Sequence, residues 1–164
     1  MKMSEGVEWA LHCAVVLGTL PENAAMPGKA LAEFHGVSES YLLKHLKSLT
    51  AAGILESLPG PRGGYRLARP ANQVTVLEVV DAVEGKGPAF RCSEIRARGP
   101  FPAPKELCNR KACAINAVML RAERAWRDVL RGETLYDIAV QVGLDVEPER
   151  LAKAVNWLGE RARA

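Results

Sequence analysis

The chain has 164 residues, 48% of them hydrophobic and 25% charged, with a formal net charge of +3. That balance excludes a disordered or low-complexity chain and leaves room for one domain, or a small domain with an appended element. The longest apolar runs are far shorter than the ~20 residues that cross a bilayer, and Met1 to Glu5 lack the charged and apolar regions of a secretion signal. No membrane partner and a reducing, cytoplasmic compartment are therefore expected.

Ser4 to Leu17 reads as a helix, because Val7, Ala10, Leu11, Ala14 and Leu17 form one stripe and Gly18 can stop it. A loop rich in Pro and Gly runs from Pro21 to Gly28, followed by a short helix at Lys29 to Phe34 and a tight connection at His35, Gly36 and Val37. Ser38 is placed to cap the next helix, where Leu42, Leu46 and Leu49 recur at helical spacing, and Gly53 is placed just past its end. The local pattern is helix, short turn, helix. Ile54 to Leu58 has strand character and meets Tyr65 and Leu67 across the tip Pro59-Gly60-Pro61-Arg62-Gly63-Gly64, which predicts a β-hairpin. Thr75-Val76-Leu77-Glu78 forms a capping box that opens a helix closed by Gly85.

Lys86 to Asn109 breaks the periodicity with Gly87, Pro88, Gly99, Pro100, Pro102 and Pro104, and so predicts an irregular loop holding Cys92 and Cys108. A long helix follows from about Ala112 to Gly132, with Ile115, Val118, Met119, Ala122, Trp126 and Val129 on one stripe. No second long helix in the chain covers that stripe, which points to another subunit. Weaker helices are predicted at Thr134 to Val142 and Pro148 to Arg161. The expected fold class is mainly α with a small β-hairpin. The expected organisation is a winged helix-turn-helix domain at 1–85, a cysteine-containing loop at 86–111, a dimerisation helix at 112–132 and a helical tail at 133–164.

Charge is uneven along the chain. Residues 1–28 carry net −2, residues 29–69 net +3 and residues 70–164 net +2. The second helix of a helix-turn-helix enters the major groove, which is wide enough to admit it. Opposite the leucine stripe stand Ser40, Lys44 and Lys47, flanked by Tyr41 and His45. Ammonium groups neutralise phosphates, while hydroxyl and imidazole groups read base edges. Ser38, Ser40, Tyr41, Lys44, His45, Lys47, Arg62 and Gly63 are thus the candidate contacts to a double-stranded DNA operator, with Arg62 at the hairpin tip suited to a narrow minor groove. A merely solvated helix face is the competing reading, but turn, segregated charge and Gly-rich wing converge on DNA.

The runs Gly36 to Leu42, Gly53 to Ser57, Gly60 to Leu67 and Val74 to Val79 resemble the IscR/NsrR-type family of winged-helix iron–sulfur transcriptional regulators, in register from about residue 5 to 140. The resemblance implies a homodimer held by the long helix, two wings, and an iron–sulfur cluster or another sensor at the preceding loop. Pro59 stands where many members carry arginine before the wing's Gly-Pro.

Three cysteines, Cys92, Cys108 and Cys113, are separated by 15 and 4 residues, unlike the paired units of a zinc ribbon, and no histidine follows His45 to complete a set of four. The missing ligand must come from elsewhere in the chain or from another subunit. Glu8 and His12 lie one turn apart on a single helix face. Gly6 to Cys13 together with Cys108 and Cys113 resembles the RsrR branch of the family. That resemblance implies a [2Fe–2S] cluster held by Cys108 and Cys113 of one subunit and Glu8 and His12 of the other, with Cys92 competing for a ligand place. Mixed ligation of this kind is expected to raise the reduction potential, as histidine does in Rieske centres, and an imidazole ligand can couple electron uptake to a proton. Trp9, beside both helix ligands, is the candidate redox-coupled residue. Cys13 reads as a buried small hydrophobe.

The expected function is a dimeric DNA-binding regulator that senses redox state through [2Fe–2S]. The alternative keeps the regulator and replaces the cluster with a thiol switch or a zinc ion. No enzyme and no small-molecule substrate are expected, since the chain has neither a Gly-rich phosphate loop nor a nucleophile constellation.

Overall fold

The structure is a computed structural model that describes residues 3–61, 63–104 and 113–163. They fall into two compact units, Lys2–Gly85 with Leu130–Ala164 and Lys86–Val129.

The first unit opens with α1 (Glu5–Gly18), followed by α2 (Gly28–His35) and α3 (Glu39–Ala51). Val7, Ala10, Ala14 and Leu17 of the predicted stripe are buried, Leu11 is half-buried, Cys13 is buried beside them, and Glu8 and His12 are exposed. Helix α2 stops at Gly36, whose φ of 65° is left-handed. Val37 N–H then reaches back to the Ala32 carbonyl at 3.0 Å. Helix α3 ends the same way: Gly53 has φ 70°, and Ile54 N–H donates to Leu49 O at 3.0 Å. Glycine takes this conformation without a Cβ penalty, so both ends of the turn-helix unit are fixed in the sequence. Leu42, Leu46 and Leu49 are fully buried, each worth about 1.5–3 kcal/mol by transfer from water. Ser38 holds the N-cap position of α3, but its hydroxyl lies 3.2 Å from that of Ser40 and caps no backbone N–H.

Strands β1 (Leu55–Leu58) and β2 (Gly64–Leu67) pair antiparallel, with Leu55 opposite Leu67 and Leu58 opposite Gly64. Cross-strand partners Glu56 and Arg66 form an ion pair at 2.8 Å. The outer edge of β2 is occupied too. Met26 exchanges both backbone hydrogen bonds with Tyr65, and Ala25 does the same with Arg163. A Cβ on Gly64 would stand 2.5 Å from the Met26 carbonyl oxygen, so the Met26 segment approaches closely only because position 64 is glycine.

Helix α4 (Val76–Glu84) opens on the expected capping box of Thr75 and Glu78. Arg69 adds an ion pair to the Glu78 carboxylate at 2.6 Å. Burial alone would push that carboxyl up. The Thr75 N–H, Arg69 and the Thr75 hydroxyl outweigh burial and hold it below its ordinary value.

The second unit holds a 3₁₀ turn at Ile95–Ala97 and most of α5 (Ala114–Gly132). Ile115, Val118, Met119 and Val129 are exposed on α5.

After Gly132 the chain rejoins the first unit by the Thr75–Thr134 bridge, with Leu135 N–H donating to Val74 O at 2.9 Å. Helix α6 (Leu135–Asp145) has its own capping box, Thr134 with Asp137, and extends three residues past the expected end at Val142. It packs on α1, where Leu135 is fully buried. Helix α7 (Pro148–Arg161) has the predicted limits, with proline in its first turn. No described helix is long and apolar enough to cross a membrane.

Candidate functional site

The candidate nucleic-acid face is built on α3 and the hairpin. The leucine stripe turns one side of α3 into the core, and this leaves Ser38, Ser40, Tyr41, Lys44 and Lys47 exposed. Their hydroxyl and ammonium groups present hydrogen-bonding and phosphate-neutralising chemistry on one side of a helix.

His45 requires a correction. It is only 5% exposed and its ring lies against the backbone of Gly6, where a Cβ would overlap it. Burial, with Lys44 adding to it, lowers the His45 pKa, and Glu84 opposes them. His45 is thus a neutral core residue joining α3 to α1 and is no base reader. The signal was in the spacing: position 45 is three residues after Leu42 and four before Leu49, inside the apolar stripe.

Gly63 has a structural part in the wing. It is buried, and a Cβ there would collide with the Leu58 carbonyl oxygen, so this residue closes the hairpin tip. Its N–H donates to Gly60 O at 2.8 Å. Arg62 lies outside the described residues.

The candidate metal ligands occupy both units. On α1, Glu8 and His12 are exposed one turn apart. The His12 ring stands 5.5 Å from that of His35, whose pKa burial, helped by His12, lowers to about 4. Trp9, between the two candidate ligands in sequence, meets Tyr41 of α3 edge-on at 5.1 Å, and Tyr41 meets His45 at 4.8 Å. Cys13 is fully buried and burial pushes its thiol up to about 12, as expected for an inert core cysteine.

In the unit Lys86–Val129, Cys113 precedes α5. The N–H groups of Asn116 and Ile115 hold its thiol below the ordinary cysteine value, burial opposes them, and Arg96 assists. A helix N-terminus favours a thiolate in this way. Cys92 lies 3.8 Å from a Glu94 carboxylate oxygen, and Glu94 pairs with Arg96 at 2.8 Å. Glu94 thus meets Cys92 directly, and the Glu94–Arg96 pair acts on the Cys113 thiol through its charges, an arrangement that no regular periodicity in the loop announces. Cys108 lies outside the described residues. Among the described residues, no three histidine, cysteine or carboxylate side chains are gathered as a metal site.

Residues 3–141 match the model of the Rrf2 family, described as an iron-dependent transcriptional regulator. The chain belongs to the Rrf2 family. This Rrf2 protein is 33% identical over 158 residues to YwgB of Bacillus subtilis (strain 168), named as an HTH-type transcriptional regulator, a match covering 96% of this chain and 95% of YwgB. Among solved structures, the oxidized form of CymR from Staphylococcus aureus is similar with a TM-score of 0.63 and 26% identity, over 85% of this chain and 96% of CymR. IscR of T. potens has a TM-score of 0.67 at 21% identity, over 90% of this chain and 93% of IscR, and so supports the fold. The Rrf2 protein is therefore a DNA-binding transcriptional regulator of winged-helix fold, not an enzyme.

Proposed function

We propose that this Rrf2 protein is a homodimer that senses redox state through a [2Fe–2S] cluster at the subunit interface and relays that state to its DNA-reading helix. The observation that carries this reading is the exposed Glu8 and His12 pair, one turn apart on α1, with Trp9 beside it in contact with Tyr41 of α3. A carboxylate, an imidazole and thiolates form a donor set that fits a mixed-ligand iron–sulfur centre. The family's description as iron-dependent supports the same chemistry.

Cys108 and Cys113 of one subunit and Glu8 and His12 of the other would hold the cluster, as in the RsrR branch. When bound, the cluster would supply one-electron exchange at that interface. The chain's own residues do the rest. Helix α1 fixes Glu8 and His12 on one rigid face, and the Trp9–Tyr41 contact ties that face to α3 at a residue of the DNA-facing set. Ser38, Ser40, Tyr41, Lys44 and Lys47, with Arg62 from the wing, would contact the operator. The apolar stripe of Ile115, Val118, Met119 and Val129 on α5, exposed in the single chain, supplies the surface for the second subunit.

A thiol switch without a cluster is the second reading. It is favoured by the Cys92 contact with Glu94, by the lowered Cys113 pKa at the start of α5, and by a similar protein, CymR, having an oxidized form.

Anaerobic purification, a visible spectrum, and iron and acid-labile sulfide assays separate the two. The cluster reading expects a coloured protein, DNA affinity that changes with dithionite, and loss of iron in Glu8→Ala and His12→Ala. A colourless, iron-free protein whose DNA affinity responds only to thiol oxidants overturns it in favour of the thiol switch. Light scattering should give a dimer for the native chain and a monomer for Val118→Asp.

A further inference from the structure

The residues beyond those matched to the family do more than extend the chain. Helix α7 returns to the helix-turn-helix, where Trp157 packs on Phe34 of α2 with ring centroids 5.4 Å apart and Leu158 is buried. The next residues reach the wing. Arg163 exchanges two backbone hydrogen bonds with Ala25, N to O at 2.9 Å and O from N at 2.8 Å. Its guanidinium donates from one terminal nitrogen to the carbonyl of Pro61, in the turn that joins β1 to β2. The hairpin alone is two strands, and an isolated two-stranded hairpin is marginal in water. Through Met26 and Ala25 the ladder continues to Arg163, and the guanidinium returns to the tip of the same hairpin.

We propose that Arg163 is a positioning residue for DNA recognition: by joining the edge of the wing sheet and bonding to the Pro61 carbonyl, it holds the wing turn in the orientation that DNA binding uses. This rests on the reading of the wing as a DNA contact. Wing position is sensitive to such a tie because the tip is short, with Gly60 at φ 91° and Pro59 and Pro61 unable to donate backbone hydrogen bonds. A fixed turn loses less conformational freedom on meeting DNA than a mobile one, so the tie raises affinity without touching a base or phosphate.

The test compares the full-length native chain with Arg163→Ala and, as a phosphate-contact control, Lys44→Ala. Each is titrated at several salt concentrations with a duplex selected by the native chain from a random-sequence pool. Amide exchange is followed at Gly63, Tyr65 and the α3 core in the DNA-free proteins. Arg163→Ala should bind about 2- to 10-fold more weakly, the loss that one intramolecular hydrogen bond predicts. Its salt dependence should be unchanged, with faster exchange at Gly63 and Tyr65 and unchanged exchange at Leu46 and Leu49. Lys44→Ala should instead lose about one unit of salt slope.

Unchanged exchange in the wing, or faster exchange with native affinity, overturns the positioning role. A salt slope reduced by about one in Arg163→Ala also overturns it, since that marks a direct phosphate contact. If no variant, native chain included, binds duplex while the exchange difference persists, the DNA reading of the wing has failed, and the proposal falls with it although Arg163 still fastens the hairpin.

Discussion

At Gly6, α1 passes close enough to α3 for the His45 imidazole to lie directly on its backbone. The ring is buried and, among the described residues, its Nε2 has no hydrogen-bond partner, so packing and the cost of leaving a neutral polar atom unsatisfied are balanced in one contact. Gly6→Ala should destabilise the protein by about 1–3 kcal/mol, the range for overpacking a filled core. The penalty should shrink in a His45→Ala background, because the methyl group then enters the space the ring vacated. Denaturant unfolding of the two single variants and the double variant measures this. Equal penalties for Gly6→Ala in both backgrounds would show that the strain lies elsewhere. Lys44 and Lys47 were legible as surface because they oppose the leucines. His45 was misplaced because its polarity was weighed above its helical position.

Helices α4 and α6 begin alike. Thr75 and Thr134 accept from the N–H groups of Glu78 and Asp137 at 3.3 and 3.2 Å, and both carboxylates bond back to the cap residue. They differ in what surrounds them, since Glu78 is also held by Arg69, which in turn donates to Gln73 O at 2.7 Å. Thr75→Ala should cost about 1 kcal/mol, typical of a lost N-cap, and more than Thr134→Ala, because it also disturbs the Arg69 network. Urea midpoints of the two variants test the order, and a larger loss at Thr134 would contradict it. The first box was readable as Thr-x-x-Glu; the second, Thr-x-x-Asp, uses a shorter acid outside the usual signature and announced itself less. The hairpin was readable from its glycines and prolines. Its third and fourth partners, Met26 and Arg163, were not, because single bridging residues leave no alternation in sequence.

In the unit Lys2–Gly85 with Leu130–Ala164, two histidines and three carboxylates have their pKa values lowered, so their effects on stability in acid share one sign. His35 and His45 are held neutral by burial, so the unfolded chain binds more protons than the folded one once pH drops below about 6.5, the value for a free histidine. Glu78, Glu84 and Asp137 are held below their ordinary values, Glu84 by the Ser4 hydroxyl and N–H and Asp137 by the Thr134 hydroxyl and N–H. The stability these carboxylates contribute is present above the unfolded-state pKa and is lost as pH falls through the folded value. Tm of the metal-free protein should therefore fall continuously on acidification, beginning near pH 6.5. For His35 the loss runs down to its folded value of about 4. His35→Gln should flatten the upper limb, and an identical limb in that variant would exclude His35 as its source.

Local rules sufficed for much of this protein. Glycine at a left-handed helix end, leucines at helical spacing, a Thr-x-x-Glu box and a Pro-Gly hairpin each act over a few residues, so the turn-helix unit, the wing and the exposed lysines could be read along the chain. The tertiary structure decided what depends on residues far apart in sequence. It placed His45 against Gly6, carried Arg163 to Pro61 across 102 positions, and set the Glu94–Arg96 pair beside Cys92 in a loop without periodicity. Such contacts form because several elements close on one another at once, and no short stretch of sequence encodes that closure.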